Sequence, residues 1–73
     1  MFSDSQARAI LRKLVLDHID KPTAEVERLI NIIDDPARQI PIRGALEAIR
    51  TQGDNNFTAE ELEIIDDLIY LYG

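Results

Sequence analysis

The sequence predicts an all-α fold, a compact bundle of four short helices in a single domain over residues 1–73. Three observations carry that expectation. Apolar residues recur at three- and four-residue spacing through four segments, and no alternating strand pattern competes with them. Cap-forming serine or threonine opens three of the segments, and proline or glycine follows two of them. The chain holds 45% apolar and 30% charged residues and no cysteine, a globular composition without disulfides or thiolate metal ligands. A domain of this size removes only about 60% of its unfolded surface from water. Its stability must therefore come from well-packed helices or from a second chain.

The first helix is expected over about residues 4–19. Ser3 and Gln6 have the spacing of a capping box, and Ala7, Ile10, Leu11, Leu14 and Val15 form one apolar stripe that leaves Leu16 outside it. The second is expected over 23–34, where Pro22 and Thr23 suit a helix start and Glu25 and Glu27 favour the positive end of its dipole. Val26, Leu29, Ile30 and Ile33 face inward, and Ile32 widens that face. Asp35-Pro36 ends this helix, with Asp35 as a cap for a further turn. Pro41 lies five residues after Pro36, so residues 36–40 can hold no more than a single turn or kink. The third helix is expected over 41–51, with Ile42, Ala45, Leu46 and Ile49 inward and Gly53 as a left-handed terminator.

The fourth helix, over 59–72, comes after "GDNNFT", whose Asp and Asn run invites comparison with a calcium loop. In a calcium hand, oxygen ligands stand at alternate positions and a bidentate Glu at the twelfth, with glycine at the sixth. Setting Glu61 at position twelve puts Arg50 at the first and Asn55 at the sixth, a cation in place of a carboxylate and no turn glycine. Helix capping accounts for the same residues: Thr58 as cap, Glu61 as its box partner, Phe57 stapled onto Leu62. The stretch "ALEAIRTQGDNNFTAEELEII" resembles a helix-loop-helix hand in this capping, over about a third of the chain. No metal or cofactor site is expected.

In the fourth helix, Leu62, Ile65, Ile69 and Tyr72 share a side with Leu68 beside them, while Ile64 and Leu71 broaden the apolar arc to about half the circumference. A surface helix needs only somewhat more than about 100° of apolar stripe. Either this helix packs centrally, or its spare edge, with Ile64, Leu68, Leu71 and Tyr72 as candidates, meets another chain. Glu60, Glu63, Asp66, Asp67 and Tyr70 occupy the other half and are the candidate partner-binding residues.

Charge points the same way. The net charge is −6, yet residues 1–52 balance. The surplus lies in residues 53–73, whose six acids (Asp54, Glu60, Glu61, Glu63, Asp66, Asp67) face no base in that segment. Nucleic-acid binding normally requires a basic footprint. Arg43 and Arg50 share a stripe on the third helix, but Glu47 lies between them. Asp34-Asp35 and Asp66-Asp67 diverge by about 100° on a helix and cannot converge on one substrate atom. His18, the sole histidine, falls among apolar positions near the end of the first helix, where it suits carbonyl capping. Acyl-carrier domains share this size and charge, but "DKPTAEV" offers no serine for a prosthetic arm.

Four helices without catalytic residues suggest a non-enzymatic protein-interaction module. A small acidic regulator or inhibitor of bacterial or phage type, docking on a protein with a basic surface, is the expectation. The alternatives are a self-associating structural subunit (a homodimer or larger), an acidic nucleic-acid mimic, or a weak helix-turn-helix-like nucleic-acid reader. "MFSDSQARAI" lacks a cationic, apolar leader pattern and no apolar run reaches about 18 residues. A cytoplasmic protein without membrane attachment is expected.

Overall fold

A computed structural model describes residues 2–73. Four helices are present among them: α1 (Asp4–His18), α2 (Ala24–Asp34), α3 (Ile42–Gln52) and α4 (Ala59–Tyr72). Their starts are local chemistry. In α1, the Gln6 N–H donates to Ser3 Oγ at 3.2 Å and the Ser3 N–H donates to Gln6 Oε1 at 2.9 Å, so a capping box closes as expected. In α2, the Val26 N–H donates to Thr23 Oγ1 at 3.3 Å, so Thr23 caps the helix as its position suggested, and the helix proper begins at Ala24. Pro41 stands just before α3 with no side-chain cap bond. Residues 36–40 form one turn, held by Ala37 N–H donating to the Asp35 carboxylate at 2.9 Å and Arg38 N–H to Asp35 O at 3.1 Å.

Packing explains which helix is central. Of the buried apolar residues, α1 supplies Ala7, Leu11, Leu14 and Val15, whereas α4 supplies only Ile65 and Leu68. α1 packs on α2 and α3, while α4 rests chiefly on α3 and meets α1 at Glu61 and Ile64. Of the two readings of the broad apolar arc of α4, central packing against all the other helices is therefore not the one observed. The radius of gyration, 11.2 Å, is that of a compact chain of this length, about 11 Å. The shape is a slab of 30 × 30 × 16 Å. A slab so thin lets an outer helix bury one face while both flanks of a broad apolar arc stay in water. No helix among the described residues is long and apolar enough to cross a membrane.

Two further expectations change. Gly53 ends α3 in an extended conformation, φ −130° and ψ −158°, not a left-handed one. A side chain is excluded there by proximity: a Cβ would lie 2.4 Å from the His18 carbonyl oxygen and 2.8 Å from Ile19 Cγ1. Arg8, one of the eight Lys and Arg residues of the sequence, is 7% exposed. Its guanidinium donates to Asp4 at 2.8 Å, to the carbonyls of Ile33 (3.0 Å) and Ile32 (3.4 Å), and to the carbonyl of Arg38. One arginine on α1 thus satisfies the C-terminal carbonyls of α2 and the turn beyond it. The missed signal was angular: Arg8 lies about 20° from Val15 on the helical wheel, inside the apolar stripe.

Candidate interaction surface on α4

The start of α4 is fixed twice over. Glu61 N–H donates to Thr58 Oγ1 at 3.1 Å and Thr58 N–H donates to Glu61 Oε1 at 2.9 Å, completing the expected box. The second Glu61 oxygen is 2.7 Å from His18 Nε2 on α1, and His18 Nδ1 is 2.7 Å from the Asp54 carbonyl oxygen. His18 therefore does not cap the carbonyls of its own helix; it reaches across to the α3–α4 loop and to α4. Phe57, expected to staple onto Leu62, has its ring centroid 4.6 Å from that of His18, and Leu62 is 50% exposed. The His18 side chain is 9% exposed. Burial alone would lower its pKa, but the bonds to Glu61 and to the Asp54 carbonyl outweigh burial and raise it above 6.5. Glu61 is lowered from 4.5 by the Thr58 N–H and by His18. The carboxylate of Asp54 is engaged too, accepting from Asn56 N–H at 2.9 Å.

Beyond this anchor, α4 divides differently from its expected inward side. Ile65 and Leu68 are buried, with Glu61, Ile64 and Tyr72 partly so beside them. Leu62 and Ile69, assigned to the inward side, are exposed along one flank, because α4 rests on the slab through an arc centred nearer Leu68. Leu71 is exposed on the opposite flank, close to Phe2.

The candidate apolar interface is thereby split. Leu68 has no exposed surface and is a core residue, so it offers nothing to another chain in this fold. Ile64 lies over a groove with Ile10, Lys13 and Leu14, and Tyr72 packs partly on the core. Leu71 alone of the four is open. Leu62 and Ile69 join it, and the signal for them was the excess width of the apolar arc.

Glu60, Glu63, Asp66, Asp67 and Tyr70 all lie on the exposed side, Tyr70 at 80%. The ion pairs among the described residues are Arg8–Asp4, Arg12–Asp34, Lys13–Asp17, Arg50–Glu47 and His18–Glu61. None neutralises those four carboxylates. Arg50, by contrast, is spent on Glu47, with Nε 3.0 Å from Oε2, which weakens the basic stripe of α3.

No protein-family model, curated protein or solved structure matches the chain.

Proposed function

We propose that this chain is a non-enzymatic protein-interaction module, a small acidic regulator or inhibitor that acts in the cytoplasm by docking through the outer side of α4. One observation carries the reading. Among the described residues, four of the five exposed large apolar side chains (Leu62, Ile69, Tyr70, Leu71) stand on α4, interleaved with four carboxylates that make no ion pair there. An apolar surface in such a setting fits a partner with an apolar groove rimmed by lysine and arginine. Its charge would speed encounter, and Tyr70 would act as an anchor. A face-to-face pairing of two α4 helices would oppose like charges, which favours a different protein over a second copy.

The test is capture by the immobilised protein from its native lysate. Wild type is compared with Asp66→Lys/Asp67→Lys and with Tyr70→Ala, at low and high salt. A partner retained by wild type at low salt, weakened by salt and lost with both variants, supports docking on this side. Equal retention by all three overturns it. Self-association is the competing reading, favoured by the flanks at Leu62, Ile69 and Leu71. Light scattering distinguishes it: a dimer dispersed by Leu71→Glu replaces the docking proposal.

A further inference from the structure

His18 has two ring nitrogens and both face acceptors. The Asp54 carbonyl can only accept, so Nδ1, 2.7 Å away, carries a proton. Glu61 Oε2, 2.7 Å from Nε2, belongs to a carboxylate whose other oxygen already accepts from Thr58 N–H. A neutral ring protonated on Nδ1 would bring the lone pair of Nε2 against a carboxylate oxygen. The arrangement is complete only when His18 is an imidazolium. The same ring is tilted 48° against Phe57, and the backbone beside it is tied by Asp54 N–H donating to His18 O at 2.8 Å. A single side chain thus holds the loop and the first turn of α4 against the last turn of α1.

We propose that His18 is a pH-released latch: as imidazolium it fastens the Gly53–Phe57 loop and the start of α4 to α1, and as neutral imidazole it lets Glu61 go. The charged groups acting on the ring are Glu61 of α4 and Asp54 of the loop; α2 and α3 contribute none. Lys13 and Asp17 of α1 line the groove beside Glu61 and are paired with each other at 2.6 Å, so they bear on Glu61 more than on the ring. Loss of the imidazolium leaves the capping box intact, since Thr58 and Glu61 keep their own bonds. The released state is therefore a formed α4 with a loosened start, not an unfolded chain. The latch stands on this geometry whatever α4 docks onto.

The test has two readings. Nitrogen-15 shifts of the His18 ring, tracked from about pH 5 to about pH 9, are expected to show both nitrogens protonated at the acid end and a midpoint above 6.5; a midpoint at or below 6.5 overturns the proposal. Amide exchange then reports the mechanics. Corrected for intrinsic rates, protection at Asp54 is expected to fall relative to α2 as pH crosses that midpoint. The closing constant drops about tenfold for each pH unit by which the folded value exceeds the unfolded one. His18→Gln should show low protection there with no step, and a step of equal size in that variant overturns the latch. If His18→Gln does not fold, Glu61→Gln serves: it retains an acceptor for Thr58 N–H and should return the midpoint toward 6.5. An unchanged midpoint overturns the assignment.

Discussion

His18 and Asp54, separated by 36 residues, exchange two hydrogen bonds: Asp54 N–H donates to the His18 carbonyl at 2.8 Å, and His18 Nδ1–H donates to the Asp54 carbonyl at 2.7 Å. This exchange brings the chain at residue 53 so close to α1 that only glycine fits. Gly53→Ala should destabilise the fold by about 1–3 kcal/mol through that overlap. Gly44→Ala is the control. Its Cβ would meet Leu29 Cδ1 at 3.8 Å and Pro41 Cβ at 3.9 Å, ordinary contacts inside a helix. A gain of about 0.4–1 kcal/mol is expected there. Urea unfolding of the two variants checks both signs.

Stability should depend on pH through the same site. His18 has a folded pKa above 6.5, so its contribution is complete below 6.5 and is lost as pH rises through the folded value. Glu61 is held below 4.5, so its contribution is present above 4.5 and is lost as pH falls through the folded value. Between these limits the folded protein favours the charged form of both partners. The gap in urea midpoint between wild type and His18→Gln should therefore be widest at about pH 5.5 and shrink at about pH 9. A gap that grows with pH would contradict the sign.

Arg8→Met should cost about 1–3 kcal/mol, because it removes the side-chain donor of the Ile33 and Arg38 carbonyls, whereas the Ile32 carbonyl keeps the Asp35 N–H. Arg12→Met removes an exposed pair with Asp34 at 3.3 Å and should cost less than about 1 kcal/mol. Thermal unfolding of the two variants side by side checks the ordering.

Leu68→Ala and Leu71→Ala separate core from surface on one helix. The first opens a cavity in the core and should cost about 2–5 kcal/mol. The second, at an exposed flank, should stay within about 0.5 kcal/mol. Near-equal losses would show that Leu71 is packed in solution, as it would be in a dimer.

What the sequence by itself determined is local. The boxes at Ser3–Gln6 and Thr58–Glu61, the cap at Thr23 and the single turn after Pro36 were legible because capping and proline sterics act across only a few residues. Helical spacing likewise marked Leu11, Val15, Ile33 and Ile49 as core. It also set α4's acidic side in water, since carboxylates without partners resist burial wherever the helix lands. Only the tertiary structure decided what joins distant segments. Arg8 finds carbonyls up to 30 residues away, and His18 finds Glu61 43 residues away. Gly53 is required by a neighbouring helix rather than by its own backbone angles. Which part of α4's apolar arc is buried was settled the same way. Periodicity gives the width of an arc but not its bearing, and the bearing depends on where α1 and α3 leave room for Leu68 and not for Leu62 or Ile69.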